Sequence, residues 1–338
     1  MRILYIFQGY SSHHRAALAY CRIIREWHSF VDRVADADVV VLHCEPHDFA
    51  SMYRSYGLAD KYVVSCAVWE ADDLPDAYKR SLELVQEVLG AVSVRYHPRV
   101  HVVPYVADDE ASPSDDDRAA VRQMIRHDDQ CVYYLTVTKI WDKRKNVQAL
   151  INAFERLAGQ MQDARLVIKV GQGDHRARRS DPRIMVVAAN LTGPQMRALY
   201  ECADVYVSPH HAEGWGLTIA DALLYKKPVI ATGYSGNLEF MNEQNSFLLA
   251  YEEDYIRPED AISPFTAQMR WAYPSQQDLQ EKLLLLYRLR EDGAVHDAVH
   301  RKLQAAEDIH RFSSAQVGRI LGSRLDETDE YRKSQKTD

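Results

Sequence analysis

Two carboxylates, Glu213 and Asp221, stand eight residues apart around the small-residue turn Gly214-Trp215-Gly216. An apolar run over Val205 to Val207 leads toward that turn, and Leu217-Thr218-Ile219-Ala220 opens an amphipathic helix after it. The first four N–H groups of a helix lack an intrahelical acceptor, and the macrodipole makes that end partly positive. A strand–turn–helix junction of this kind is an anion site, above all for phosphate. Asp221 falls about a turn and a half into the helix, and Glu213 lies on the loop before it. A diphosphate over the amides of Gly216, Leu217 and Thr218 then has a carboxylate to either side. Carboxylates do not bind phosphate; they accept hydrogen bonds from hydroxyls. The pair therefore suits a diphosphate with a sugar at each end, which is a nucleotide-sugar. Taken alone, each acid reads as an ordinary surface residue; the surrounding strand, turn and helix decide otherwise.

A second junction agrees. Residues 131–157 read as a buried strand, a basic loop and a helix, with Val147, Leu150, Ile151, Phe154 and Leu157 at helical spacing. The loop carries four cations, Lys139, Lys143, Arg144 and Lys145. Such a cluster near a helix start is costly unless an anion joins it, although a solvated basic loop has the same composition. Downstream, Pro228-Val229-Ile230-Ala231 reads as a buried strand that runs into the tight turn Gly233-Tyr234-Ser235-Gly236.

The order acid, turn, helix, strand, second turn resembles the retaining nucleotide-sugar glycosyltransferases of family 4, which have the GT-B fold. Their motif is Glu, seven residues, Glu, in an EGFGL-type loop followed by a KPVIAT strand; here the second acid is Asp221. The family also carries an Arg and, six residues on, a Lys that clamp the diphosphate, usually before a Gly. Lys139, Lys145 and Asn146 fall on those positions. Lys keeps the charge and loses the bidentate fork, while Asn tolerates left-handed backbone. Val68 to Pro75 is similar to a WETDRLP element of one branch, and Trp271-Ala272-Tyr273-Pro274 to its WAEP-like element. The resemblance spans residues 60–325 and is thin before them. It implies that Glu213 holds donor-sugar hydroxyls, Asp221 the ribose, and Lys139, Arg144, Lys145 and the Gly214–Thr218 segment the diphosphate. Gly9, in the loop after the first strand, is expected to approach the donor phosphate. Asn190 and Leu191 are expected to face the base. Where many members place a His near the WETDRLP element, this chain offers Glu70, Asp72 or, at the end of its own strand, His43. The implied reaction moves a hexose to an acceptor hydroxyl with retention, without metal or cofactor. GDP-mannose or a related donor is preferred by similarity to cell-surface polysaccharide enzymes of that branch. The acceptor is expected to be a saccharide or glycolipid. A catalytically degenerate partner subunit is the alternative, favoured by the short first domain.

The elements that must position these residues alternate, strand then amphipathic helix, as in parallel sheets covered on both faces. The expected fold is α/β, two Rossmann-like domains facing a cleft, with a C-terminal helix crossing back to the first. The first domain, 1–108, holds strands at Arg2 to Phe7, Val39 to His43 and Lys61 to Ala67. It also holds helices at His14 to Trp27 and Pro75 to Val88, and short strands near Val92 and Val100. The polar seam is Ala107 to Asp117, the second domain 109–311, the crossing helix 312–326, and 327–338 is expected to be a disordered tail. At 338 residues and 46% hydrophobic, the chain can bury two such domains. The net charge of −8 lacks long runs and argues against nucleic acid as partner. The one basic cluster, Arg176 to Arg179, reads as a solvated loop. No G-x-G-x-x-G follows the first strand, which argues against a nicotinamide-binding unit. Asp72-Asp73 and Asp115-Asp116-Asp117 lack the strand-end Asp-x-Asp setting of metal-dependent sugar transferases. Five scattered cysteines suggest reduced, cytoplasmic usage, and MRILYIF is too short for a signal segment. A cytoplasmic protein touching the inner face of the membrane is the expectation.

Overall fold

The computed structural model describes residues 1–9, 11–91, 97–108, 111–173, 179–290 and 292–335. They form two compact units, one of Met1–Asp108 with Arg311–Asp338 and one of Asp109–His310. The expected strand near Val92 and the cluster residues Arg176 to Arg178 lie outside the described residues.

In the first unit six parallel strands lie in the order β2-β1-β3-β4-β5-β6. They are β1 (Arg2–Phe7), β2 (Ser29–Phe30), β3 (Val39–His43), β4 (Tyr62–Val68), β5 (Glu87–Ala91) and β6 (Val100–His101). β3 reads VVVLH and is buried along its whole length, as a central parallel strand covered on both faces must be. Helices α1 (Ser11–Ile24), α2 (Phe49–Tyr56) and α3 (Asp76–Leu82) accompany the sheet. α1 buries Ala16, Ala17, Tyr20, Ile23 and Ile24 at helical spacing. β2 and α2 were not expected from the sequence.

Two expectations are corrected. The helix expected over Pro75 to Val88 stops at Leu82, and Glu87–Ala91 is a strand paired with β4. Tyr78, Leu82 and Val85 keep helical spacing and are buried, but a short apolar run cannot be assigned by period alone. Gly90 settles the strand: its φ is +152°, and a Cβ there would stand 1.9 Å from the Ala67 carbonyl oxygen. The tail expected to be disordered from 327 is helical to Ser334, within α10 (Ser314–Ser334). Its anchors are polar and long-range, invisible to a hydrophobic pattern. The buried Glu87 accepts hydrogen bonds from Thr328 Oγ1 at 2.5 Å, Tyr62 Oη at 3.1 Å and Arg99 Nε at 2.9 Å. The Arg99 guanidinium also lies 3.8 Å from the Tyr331 ring centroid. Further up, Gly318 sits against Ile23 and Gly322 against Trp27, so small residues let α10 lie close on α1.

The second unit has six parallel strands in the order β12-β11-β10-β7-β8-β9. They are β7 (Val132–Val137), β8 (Ala164–Val170), β9 (Ile184–Ala188), β10 (Val205–Ser208), β11 (Val229–Thr232) and β12 (Phe247–Leu249). From β7 the chain builds outward through β8 and β9, then returns to β10 on the other side, so the sheet reverses direction between β7 and β10. Open α/β sheets bind ligands at such a switch point, beyond the carboxyl ends of the strands. The helices are α4 (Asp115–Met124), α5 (Val147–Arg156), α6 (Gly193–Glu201), α7 (Leu217–Leu224), α8 (Gln276–Tyr287) and α9 (Gly293–Ala305). Leu150, Ile151 and Phe154 of α5 share one core with Leu166 and Ile168 of β8 and with Leu279, Leu283 and Leu286 of α8. An antiparallel ribbon, β13 (Tyr251–Tyr255) with β14 (Arg270–Pro274), is appended; β13 is exposed throughout. Among the described residues no helix is long and apolar enough to cross a membrane.

Deleting residues 327–338 strips Glu87 of Thr328. A hydrogen bond to a charged group contributes about 1.5–3 kcal/mol, so the truncated chain should lose about that much in a urea titration followed through the first unit. An unchanged midpoint would show that the last turns of α10 carry no stability.

Candidate active site

The loop after β10 is bound on three sides. Asn146 Nδ2 donates to the Pro209 carbonyl at 2.9 Å, Thr232 Oγ1 to the His210 carbonyl at 2.6 Å, and Ala272 N to the His211 carbonyl at 3.0 Å. The His211 ring stacks on Trp271, centroids 4.8 Å apart and planes 8° apart, so β14 braces the loop from behind. Burial pushes the His211 pKa down to about 4. Gly216, at φ +89°, turns the chain into α7. The amides of Gly216, Leu217 and Thr218 donate to no protein group among the described residues. Gly236 has no room for a side chain: a Cβ would stand 2.2 Å from the Gly214 carbonyl oxygen.

Glu213 is only 6% exposed. Lys145 Nζ donates to its Oε1 at 2.5 Å and Arg144 Nη1 to its Oε2 at 3.4 Å. Arg144 is itself buried and committed. It donates to the Ala212 carbonyl at 2.8 Å and to Asp142 at 3.2 Å, and Asp142 also accepts from the Arg144 amide at 3.1 Å. Burial alone would raise the Glu213 pKa; the charges of Lys145 and Arg144 outweigh it and hold the carboxyl at about 2. The loop thus carries a desolvated but ionised carboxylate, an acceptor-only group at neutral pH.

Lys145 and Arg144 meet Glu213, whereas Lys139 stands half-buried with Nζ 5.5 Å from the exposed Trp141 ring. Asn146 adopts the left-handed conformation, φ 52°, as its place before α5 requires. Asp221 is buried within α7. The Trp215 ring is buried against Phe240, centroids 5.2 Å apart. Asn190 is exposed and donates to Gln172 at 3.2 Å; Leu191, partly buried, precedes Thr192, the N-cap of α6.

Three candidates belong to the first unit. Gly9 has φ +124°, and a Cβ there would approach His13 Nδ1 to 2.8 Å. Glu70 is partly buried just past β4, in a loop where Trp69 Nε1 donates to the Asp73 carbonyl at 2.7 Å. His43 is 1% exposed, with Nδ1 2.8 Å from the Tyr5 hydroxyl, and burial pushes its pKa down to about 3.

Asp142 and Ser235 escaped the sequence reading. Ser235, at φ 72°, places its Oγ to accept the Glu213 amide at 2.7 Å. The signal available was the non-glycine residue between Tyr234 and Gly236 in a turn needing left-handed backbone. Asp142 gave none, because an acid beside four cations reads as simple charge balance.

Residues 132–263 match the family model described as Glycosyl transferases group 1. The fold is that of a glycosyltransferase from Rickettsia africae, at TM-score 0.66 and 13% identity over 98% of both chains. HepE of Anabaena, solved with UDP-glucose, superposes at TM-score 0.63 and 13% identity, covering 97% of this chain and 100% of that one. The pneumococcal O-GlcNAc transferase GtfA, solved with UDP and GlcNAc, does so at 0.57 and 14%, covering 94% of this chain and 60% of that one. No curated protein matches the chain. The architecture is therefore GT-B, α/β with two parallel sheets, and the matched region supports a glycosyltransferase.

The ionised state of Glu213 carries a signature. Its pKa in the fold, about 2, lies below the free value of 4.5, so it contributes stability above that free value, and the contribution is lost as pH falls from there toward 2. The shift corresponds to on the order of 3 kcal/mol. Between pH 6 and 2.5 the wild type should lose that much more stability than Glu213→Gln. Parallel pH profiles for the two would overturn the charge assignment.

Proposed function

We propose that the protein transfers a hexose from a nucleoside diphosphate sugar to an acceptor hydroxyl, with retention and without a metal ion. The observation that carries the reading is the buried, ionised Glu213. It is paired with Lys145 and Arg144 at the mouth of a helix whose first amides are open. Each carboxylate oxygen has a second lone pair, so Glu213 can accept hydroxyls of the donor sugar while keeping its cations. Lys145 has three N–H donors and can hold Glu213 and a phosphate oxygen together. Lys139, Lys145 and the Gly216–Thr218 amides then stabilise the charge that develops as the bond from C1 of the sugar to the diphosphate breaks. The acceptor oxygen bonds to C1 on the same face, and its proton passes to the departing phosphate oxygen, so no dedicated base is required. Asp221 holds the ribose, Arg144 positions Glu213, and Gly9, Asn190, Leu191, Gly214 and Trp215 complete the donor contacts. Glu70 is assigned to the sugar side on resemblance alone. A GDP-mannose-type donor, a saccharide or glycolipid acceptor and a role in polysaccharide synthesis beside the membrane follow the resemblance. The bound UDP-glucose of HepE makes UDP-sugars the competing donors to test.

Titration with nucleoside diphosphates, and turnover of UDP-, GDP- and dTDP-sugars in saturating EDTA, test the reading. Charge-assisted contacts contribute about 1.5–3 kcal/mol each. Lys139→Ala and Lys145→Ala should therefore each cut kcat/KM roughly tenfold to about 150-fold and weaken bare diphosphate binding. If both variants bind diphosphate as tightly as the parent, the basic loop is not the clamp.

The two carboxylates separate by ligand. Glu213→Gln should depress turnover while leaving nucleoside diphosphate affinity nearly unchanged, since that ligand offers no hexose. Asp221→Asn should weaken bare diphosphate and intact donor alike, by roughly tenfold for one charged hydrogen bond. Calorimetry of both variants with both ligands reads this, and an Asp221 variant with unaltered affinity would mean that this acid does not reach the ribose.

A further inference from the structure

Lys169 is a buried cation for which the fold itself gives no reason. It is the next-to-last residue of β8, is 7% exposed, and its Nζ donates to the neighbouring Val170 carbonyl at 2.8 Å. No carboxylate reaches it among the described residues. Burial lowers its pKa without an opposing acid. An ammonium kept in such a place costs stability unless something accepts its remaining protons.

Its position says what that could be. Alternation along β8 sends Ile168 and Val170 into the core shared with α5 and α8 and Lys169 to the opposite face. That face belongs to α6 and α7. Val167, two residues back, lines a small space with Leu199 of α6, and Tyr200 of α6 donates to the Thr218 carbonyl of α7 at 2.9 Å. Lys169 pairs in register with Val137 of β7 and Val187 of β9, at the carboxyl ends of three adjacent strands.

The proposed donor has a direction across this edge. Glu213, the sugar end, is bound to Ser235 in the turn after β11. The diphosphate belongs over the first amides of α7, at the junction of β10 and β7. The base therefore extends over β8 and β9, where Lys169 stands. We infer that Lys169 reads the nucleobase, donating a hydrogen bond from its ammonium to a ring carbonyl oxygen and so selecting bases that carry one over adenine. This rests on the nucleotide-sugar reading and deepens it at the base end.

Calorimetric titration of the full chain with UDP, GDP and ADP tests the assignment. The wild type should bind UDP or GDP at least about tenfold more tightly than ADP. Lys169→Met, which keeps the apolar stem, should weaken the preferred nucleotide about tenfold, change ADP by less than twofold, and melt no lower than the parent. A lysine with a merely structural role would move all three nucleotides together. The wild type alone gives a second test through 2-thio-UDP, 4-thio-UDP and 6-thio-GDP. Affinity should fall several-fold only where sulfur replaces the oxygen that Lys169 touches. A variant that keeps the parent's preference, or sulfur analogues that all bind like their parents, would overturn the role of Lys169 and leave the nucleotide-sugar reading standing. A wild type that binds no nucleoside diphosphate would instead remove that reading, and this one with it.

Discussion

A carboxylate withdrawn from water and still ionised organises the second unit. Leaving Glu213 buried and unpaired would cost several kcal/mol, and the surrounding loops are built to prevent it. Lys145 and Arg144 come from the loop after β7, Glu213 from the loop after β10, and Ser235 from the turn after β11. Three strand ends are thereby tied together at one residue, the cations at its carboxylate and Ser235 at its amide. The binding runs through backbone as well: the Arg144 carbonyl accepts from the His211 amide at 2.8 Å, and the Glu213 carbonyl from the Gly236 amide at 2.9 Å. Gly214 and Gly236 must touch backbone to backbone for those bonds to close, which is why a side chain at 236 has nowhere to go.

Two kinds of cation divide the work. Arg144, fixed between Asp142, the Ala212 carbonyl and Glu213, has both terminal nitrogens committed to protein acceptors. Lys145, a flexible point charge, is the one that can turn toward an incoming anion without dismantling the loop. A diphosphate arriving here adds negative charge beside Glu213, and only a network with a cation held in reserve tolerates that. In the proposed donor complex Arg144 keeps Glu213 compensated while Lys145 is shared, and the amides of Gly216, Leu217 and Thr218 supply the rest.

The parallel strands and the strand–turn–helix junctions of the second unit were legible because they are local. Val205 to Val207, Leu217 to Leu224 and Val147 to Phe154 announce themselves by period and by the turn between them. What escaped is long-range or polar. The start of β5 was hidden because Tyr78, Leu82 and Val85 keep helical spacing up to the point where the sheet demands a strand. The last turns of α10 read as disordered because they are charged. Thr328 and Tyr331 nevertheless meet Glu87 and Arg99, partners more than two hundred residues away in sequence. In the site, the four cations were visible as a group, but not the split between Arg144, turned inward onto Asp142, and Lys139, left beside Trp141.

Lys169 shows the same limit from the other side. In the sequence it is one Lys within an apolar run, Leu166 to Val170, and the run reads as a buried strand with a single flaw. Only the register, which aligns it with Val137 and Val187 at the sheet edge, turns the flaw into a directed donor. Glu213 is matched by cations that the fold itself supplies, so its charge is settled within the protein. Among the described residues Lys169 meets only a carbonyl of its own strand, so on the proposed reading its charge is settled by what binds. The two ends of the proposed donor site thus differ in kind: the sugar end is compensated and rigid in the free protein, while the base end keeps an unmet demand. Compensation built into the protein gives the sugar end its geometry, and the demand left open at Lys169 is where discrimination between bases can arise.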